Sequence, residues 1–281
     1  MTRARRRIPR LALSAAVSGV LTLSGCKTLM PPTLRVVTFN IAHGGGAAGA
    51  WPGLPVETYQ ANVDAVAEVV RHENPDVLAV QEADAPSMWS GSLDHVRRLA
   101  DHAGLPHVHH GIHFDMGVGT YRITYGTALV GRRPLNRPAS YRSNVHQLHT
   151  KGFVTAEVTL AGRPLIVTSI HLESMSASTR RREVEQIIKL LEESHRPVVL
   201  MGDLNSQWSQ ADDAVRILAS RLHLRAYEPE QPGLDTFSAR NPRRRIDWIL
   251  LSKELAFTEY RVVPAKVSDH LGVFASVRWK E

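Results

Sequence analysis

The chain has 281 residues, of which 43% are apolar, 22% charged and 6% aromatic. This composition is typical of an ordinary globular protein and excludes collagen-like, low-complexity and multi-span membrane chains. The net charge of +7 suggests nucleic-acid binding, but five arginines before residue 27 supply most of it, with no acidic residue there to offset them. The rest of the chain is close to neutral, so attraction to polyanions must depend on local patches.

Residues 1–26 have the pattern of an export signal. A basic segment ending at Arg10 is followed by an uncharged apolar run, Leu11–Leu23, which is too short to cross a bilayer as a helix. The run ends in Leu-Ser-Gly-Cys26, which resembles the lipid-attachment site of bacterial lipoproteins, and Cys26 is the only cysteine. The resemblance implies that Cys26 is acylated and becomes the first mature residue, with 27–33 as a short tether.

The lipoprotein resemblance predicts an exported protein that a lipid anchor at Cys26 holds to a membrane. We also expect the protein to be a monomer. Lys27 after the cysteine favours the periplasmic face of the outer membrane in a Gram-negative cell, and the cell surface is expected otherwise. The alternatives are a plain secretory signal or a buried N-terminal helix. A single cysteine also excludes an intrachain disulfide.

From Leu34 onward the chain alternates apolar runs with helical periodicity, without a repeat or long linker, which indicates one domain at 34–281. The predicted strands are 34–40, 76–82, 125–131, 153–160, 164–172, 197–202, 246–251, 260–263 and 272–279. The predicted helices lie around 63–70, 93–102, 184–191 and 212–222. The histidines of 107–113 indicate a loop rather than a metal site. Strands separated by helices, with hairpins between some of them, predict an α/β fold of two layered sheets with helices outside.

Polar side chains lie at the boundaries of most of these apolar runs. They are Asn40, Glu82, His171, Asp203, Asn205, Asp247, Asp269 and His270. Carboxylates and amides at strand ends are held on rigid elements and can converge at one edge of a sheet. Their oxygen atoms suit a hard cation such as Mg²⁺.

Seven short stretches carry a family resemblance. They are Arg35-Val-Val-Thr-Phe-Asn40, Asp76-Val-Leu-Ala-Val-Gln-Glu82, Tyr125-Gly-Thr-Ala-Leu129, Thr168-Ser-Ile-His171-Leu172, Met201-Gly-Asp203-Leu-Asn205, Arg245-Ile-Asp247-Trp-Ile-Leu250 and Ser268-Asp269-His270. In this order, across residues 34–279, they resemble the endonuclease/exonuclease/phosphatase superfamily of metal-dependent phosphoesterases. The resemblance implies a four-layered α/β/β/α sandwich with the site at one edge of the two sheets.

The resemblance also implies a metal site. Glu82 would be the main ligand of Mg²⁺, or of Mn²⁺ in its place, with Asn40 beside it and Asp269 near enough to contribute. The cation would stabilise negative charge on the phosphoryl group as a Lewis acid. His171 would bind a phosphoryl oxygen or serve the leaving group.

The remaining site residues would activate water and bind the phosphate. By the same resemblance, Asp203 and Asn205 would orient the attacking water, and Asp203 would act as its base. His270 would face the scissile phosphate, paired with a carboxylate that fixes its protonation or tautomer. Asp247 is the favoured partner, and Asp269 is the alternative.

Substrate contacts are less specific in this sequence. Tyr125 is a candidate for the rim of the site, but Thr127 replaces the asparagine that many family members have, so phosphate contacts there do not carry over directly. Arg243, Arg244 and Arg245 precede a strand with a site residue and could hold a polyanionic substrate.

Three classes of function remain open at this point. The first is a phosphodiesterase of endonuclease type, which the three arginines favour. The second is a phosphodiesterase or phosphatase that acts on a phosphorylated small molecule or on a lipid head group, sphingomyelinase-like or phosphoinositide-like, which a membrane anchor favours. The third is a non-catalytic binding module, which the full set of polar site residues argues against.

Overall fold

Two six-stranded sheets form the centre of the protein in a computed structural model that describes residues 32–49, 52–145, 151–209 and 213–281. In chain order the strands are β1 (Leu34–Asn40), β2 (Val77–Asp84), β3 (His107–Val118), β4 (Tyr121–Gly131), β5 (Asn136–Arg142), β6 (Gly152–Leu160), β7 (Arg163–His171), β8 (Val198–Asp203), β9 (Leu224–Ala226), β10 (Asp247–Ser252), β11 (Leu255–Val263) and β12 (Gly272–Trp279). The helices are α1 (Val56–Glu73), α2 (His95–Ala103), α3 (Ala177–Ser194) and α4 (Ala214–Arg221).

Both sheets mix parallel and antiparallel pairs. The first has the order β11-β12-β1-β2-β4-β3 and the second β5-β6-β7-β8-β10-β9. The pairs β1/β2 and β7/β8 are parallel, and their neighbours on either side are antiparallel. Residues Pro32–Glu281 form one compact unit. Over the described residues, no helix has the length and apolar content needed to cross a bilayer.

Three apolar clusters hold the layers together. One fills the space between the two sheets, a second lies between the first sheet and helices α1 and α2, and a third lies between the second sheet and helices α3 and α4. Burial of this apolar surface is the main favourable term in folding. The predicted α/β/β/α sandwich is thereby confirmed.

Local sequence explains where the two long helices begin and end. Helix α1 ends at Glu73, and Asn74 caps it with a left-handed φ of 49°. Pro75 follows, and a proline disfavours a helical conformation in the residue before it. Helix α3 begins at Ser176, whose side chain accepts a hydrogen bond from the Thr179 amide.

The histidine-rich segment is a strand, so the prediction of a loop there is wrong. Strand β3 pairs with β4 along its whole length, and its imidazoles bind separate partners. His110 Nε2 contacts the Ala83 carbonyl at 3.1 Å, whereas His113 Nε2 contacts the Thr127 hydroxyl at 2.8 Å. Alternation along the strand sends these two rings to opposite faces of the sheet, so they do not form one site.

Candidate active site

The strand ends that carry the polar motifs meet at one edge of the two sheets. In the first sheet, Asn40 pairs with Gln81, the residue before Glu82. In the second sheet, Asp203 pairs with His171 on one side and with Asp247 on the other. Strand pairing alone therefore brings residues that are far apart in sequence to one place.

Gly202 permits the close approach of two of these strands. Its φ is 151°, and a Cβ atom built there would lie 2.0 Å from the Ile170 carbonyl oxygen. A side chain at this position would push β8 away from β7. The glycine before Asp203 thus has a structural role in placing that aspartate beside His171.

Asp203 lies at the centre of the site and is 1% exposed. Its Oδ2 accepts a hydrogen bond of 3.0 Å from Asn40 Nδ2, and its Oδ1 accepts one of 2.9 Å from the Asn205 amide. Burial and the neighbouring Asp247 carboxylate raise the pKa of Asp203 above its ordinary value. A carboxylate with a raised pKa, held by two donors, is suited to accept a proton from water.

His270 forms a buried pair with Asp247. Its Nδ1 lies 2.9 Å from Asp247 Oδ2, which also accepts a hydrogen bond of 2.6 Å from the Thr236 hydroxyl. Burial lowers the pKa of His270, but the Asp247 and Asp203 carboxylates more than offset this and raise it to about 10. The ring is therefore a cation at neutral pH, and the structure places Asp247 rather than Asp269 as its partner.

His171 and Lys151 form a second basic pair at the same edge. Lys151 Nζ lies 3.0 Å from His171 Nε2, which is also 3.6 Å from Asp203 Oδ2. Burial and the Lys151 charge lower the pKa of His171 well below its ordinary value, so this ring is neutral. Lys151 was not predicted as a site residue because nothing in its local sequence marks it, and only the pairing of β6 with β7 brings it here.

Glu82 faces these basic groups from the first sheet. Burial opposes its ionisation, but His43, His171 and Lys151 together hold the pKa of Glu82 well below its ordinary value. Its φ of 49° is left-handed, as is the φ of 46° at Asn205. Such backbone conformations cost about 1–3 kcal/mol each and persist where surrounding structure fixes them, which is common at functional sites.

His43 is a second residue that the sequence analysis missed. Its Nδ1 lies 2.6 Å from the buried Asp84 Oδ1, and its Nε2 lies 3.5 Å from Glu82 Oε2. Trp89 Nε1 donates a hydrogen bond of 2.6 Å to the other Asp84 oxygen. Asp84 thus fixes the His43 ring beside Glu82. His43 lies three residues after Asn40, and Asp84 lies two residues after Glu82. This closeness in sequence to two predicted site residues was the signal that could have identified them.

The residues present suit the divalent cation that the family resemblance implies. Possible ligand atoms of Asp203, Asp247 and His270 lie within 4.8 Å of one another, and Asp247 Oδ1 is buried without a hydrogen-bond partner among the described residues. The protonated His270 has no lone pair to offer, so the carboxylate oxygens are the groups that fit a cation. Burial and the nearby Glu82 charge raise the pKa of Asp269, since the two carboxylates repel each other. A cation between such oxygen ligands would relieve this repulsion.

Tyr125 lies on an aromatic wall beside Glu82. It stacks on Phe114 with ring centroids 4.9 Å apart and on Trp89 at 5.7 Å, and it meets the His43 ring edge-on at 5.0 Å. The predicted place of Tyr125 at the rim agrees with this position. The hydroxyl of Thr127 contacts His113 instead of facing the site.

The three arginines do not act together, because Arg245 is buried. Its guanidinium donates to the Glu228 and Tyr227 carbonyls and to the Tyr260 hydroxyl. The proposed substrate contact of Arg245 is therefore corrected to a structural role. Arg243 and Arg244 are exposed, and the Arg244 guanidinium lies 4.6 Å from the centre of the Phe237 ring.

Replacing Arg245 by Gln is expected to lower the free energy of unfolding by about 3 kcal/mol, because buried carbonyl groups lose their donor. Urea denaturation measures this difference. The matched variant Arg243→Gln, at an exposed position, should change stability by less than about 0.5 kcal/mol. Equal stability of the two variants would show that Arg245 has no such structural role.

Comparison with known proteins agrees with this fold. The family model described as the endonuclease/exonuclease/phosphatase family matches residues 37–270. The chain therefore belongs to the endonuclease/exonuclease/phosphatase family. Members of this family are in general hydrolytic phosphoesterases. This protein is therefore a phosphoesterase-type hydrolase. A search of curated protein sequences finds no match.

Solved structures show the same fold. An endonuclease/exonuclease/phosphatase protein from Beutenbergia cavernae is 23% identical, with a TM-score of 0.72 over 88% of this chain and 72% of its own. The catalytic domain of human nocturnin is 18% identical, with a TM-score of 0.64 over 89% of this chain and 96% of its own. Sphingomyelinase C from Streptomyces griseocarneus is 17% identical, with a TM-score of 0.63 over 87% and 99%.

Proposed function

We propose that this protein hydrolyses phosphate esters with Mg²⁺, or Mn²⁺ in its place. The observation that carries the proposal is the buried Asp203, held by Asn40 and Asn205 between the His270–Asp247 pair and His171. A base, a cationic imidazole and a neutral imidazole thus face one small region. These are the groups that attack by water on a phosphorus atom requires.

The chain's own residues supply the proton transfer and the charge stabilisation. Asp203 accepts a proton from the attacking water as the new bond to phosphorus forms and the bond to the leaving alkoxide breaks. The alkoxide then takes a proton from solvent and leaves as the alcohol. The protonated His270 stabilises negative charge on the phosphoryl oxygens, and Asp247 keeps it protonated. Glu82, Asn40 and Asp269 would hold the cation, which supplies Lewis-acid stabilisation when bound.

A substrate panel tests this proposal. The chain from residue 27 contains all residues of the three apolar clusters, so it is suited to assays in solution. We expect it to hydrolyse at least one of DNA, RNA, sphingomyelin, a phosphoinositide and a simple phosphomonoester in Mg²⁺. Failure on every one of these esters, in Mg²⁺ and in Mn²⁺, would contradict the proposed function.

Different observations support the two leading substrate classes, nucleic acid and lipid head groups. Without Arg245, the endonuclease-like alternative depends on Arg243 and Arg244, of which Arg244 packs on Phe237. The Phe237 ring centre is 4.7 Å from that of His270, so Arg244 lies near the site. The lipid head-group alternative depends on the predicted membrane anchor and on the exposed apolar side chains at the tip of the β3–β4 hairpin.

The anchor itself lies outside the described residues and stays a proposal. We expect Cys26→Ser to abolish palmitate labelling of the full chain in a bacterial host, because serine cannot form the thioether. The variant Ser24→Ala, which leaves the thiol in place, should retain the label. Wild-type protein that is soluble and unlabelled would contradict both the anchor and the proposed membrane location.

A further inference from the structure

Strands β3 and β4 continue as a hairpin beyond the active site. Past the stacked pair of Phe114 and Tyr125, Met116 pairs with Ile123 and Val118 pairs with Tyr121. Tyr121 is four residues beyond Tyr125, so at about 3.3 Å per residue the tip extends roughly 13 Å past the aromatic wall.

The two faces of this hairpin differ in chemistry. Because side chains alternate along a strand, Met116, Val118, Tyr121 and Ile123 share one face, which is called the hairpin face below. The opposite face carries the ion pair between Asp115 and Arg122. Met116 is 54% exposed, Val118 85% and Tyr121 76%. An apolar sheet face this exposed is unusual on a soluble domain and indicates an interaction surface.

The hairpin face continues directly into the active site. By the same alternation it lies on the side of β4 that carries Tyr125, whose ring stacks on Trp89 and meets His43 edge-on. His43 in turn lies 3.5 Å from Glu82. The exposed Met88, which precedes Trp89, extends the apolar surface at this edge. The hairpin face therefore adjoins the aromatic wall beside Glu82.

The size of the hairpin face argues for a bilayer rather than a second copy of the chain. Its four side chains offer on the order of 400 Å², about half of the roughly 800 Å² per partner that a specific protein interface uses. A bilayer needs no complementary protein surface. The exposed Arg142, which ends β5, adds a positive charge near Tyr125, and the Asp115–Arg122 ion pair on the opposite face is neutral overall. A cation beside tyrosine and aliphatic side chains suits an anionic lipid surface.

We propose that the hairpin face inserts into the surface of a phospholipid bilayer and presents membrane-borne phosphate esters to the active site. Binding to the bilayer stands on the hairpin alone, whereas the substrate class rests also on the proposed hydrolytic function.

Vesicle binding tests the inference. The chain from residue 27, which lacks the predicted anchor, should sediment with vesicles of phosphatidylcholine and phosphatidylglycerol. The double variant Val118→Ser, Tyr121→Ser should bind about 100-fold more weakly, since each buried apolar side chain contributes roughly tenfold. The matched control Val108→Ser changes a valine that is 37% exposed at the other end of β3 and pairs with Val130. Its vesicle binding should equal that of the wild type.

Activity measurements separate this inference from the proposed function. The double variant should hydrolyse a soluble chromogenic phosphodiester at the wild-type rate and vesicle phospholipid much more slowly. A wild type that does not bind vesicles, or a double variant that binds them equally well, overturns the inference and leaves soluble hydrolysis unaffected. A wild-type dimer that the double variant dissociates, or DNA binding that the double variant loses, also overturns it. Vesicle binding with the expected loss, but without hydrolysis of any ester, would support the hairpin's role and contradict the proposed function.

Discussion

The variant Asp203→Asn is expected to lower kcat for phosphate-ester hydrolysis by about 10³, with a much smaller change in KM. The amide has the shape of the carboxylate but cannot accept the proton of the attacking water, and loss of a positioned base costs about 10²–10⁴ in rate. Steady-state kinetics on the best substrate of the panel measures both constants. The large effect on kcat follows from the central position of Asp203 among its donors and the two imidazoles.

The control for this prediction is Asp101→Asn. Asp101 lies on α2 with its side chain 57% exposed, so its replacement should leave kcat and KM unchanged. Circular dichroism and thermal denaturation of both variants establish that the fold is intact. A kcat of Asp203→Asn within a few-fold of the wild type would show that this aspartate is not the base.

Removal of divalent cations is expected to abolish hydrolysis, and Mg²⁺ should restore it. Without a cation, the Glu82 and Asp269 charges repel each other, and the protonated His270 is left without the Lewis acid that would share the negative charge developing on the phosphoryl group. The variant Glu82→Gln should weaken Mn²⁺ binding by at least about tenfold, which electron paramagnetic resonance of the free ion measures without any turnover.

The matched control for Glu82→Gln is Glu68→Gln, since Glu68 is 66% exposed and pairs with Arg71 on α1. It should bind Mn²⁺ as the wild type does. Hydrolysis that survives a chelator would contradict the metal requirement. Unchanged Mn²⁺ affinity in Glu82→Gln would show that the cation is held elsewhere.

The protonation states at the site also predict its pH dependence. Hydrolysis needs Asp203 without its proton, so the rate should rise with pH through the raised pKa of this carboxyl group. It needs His270 with its proton, so the rate should fall as pH passes the pKa of about 10 for that ring. Both limits lie above the ordinary values of the two side chains, and this follows from their burial together with the carboxylates around them.

The fold was largely predictable because apolar periodicity marked its buried elements. The strand predicted at 272–279 coincides with β12, and the predicted helix around 184–191 lies within α3. These elements bury continuous apolar stripes that the sequence displays directly. Strands β5 and β9 were not predicted. β5 reads Asn-Arg-Pro-Ala-Ser-Tyr-Arg142, and a polar edge strand has no such stripe.

The site was predictable where its residues end strands, and not where tertiary structure alone brings them in. Asn40, Glu82 and Asp203 occupy the converging edge because strand pairing places them there. Lys151 immediately precedes β6, and its proximity to His171 depends on strand register. Arg245 belonged to a basic run that was predicted to contact substrate, but it is buried and donates to the Tyr260 hydroxyl instead. Periodicity and motifs do not encode such packing.

The most direct test of the account is the fate of water oxygen during hydrolysis. With a soluble phosphodiester in ¹⁸O-labelled water and Mg²⁺, mass spectrometry should find one labelled oxygen in the phosphate product and none in the released alcohol, because water activated by Asp203 attacks phosphorus. The label should appear at a rate that falls by about 10³ in Asp203→Asn. Label in the alcohol, or label appearing equally fast in Asp203→Asn, would contradict attack at phosphorus by a water that Asp203 activates.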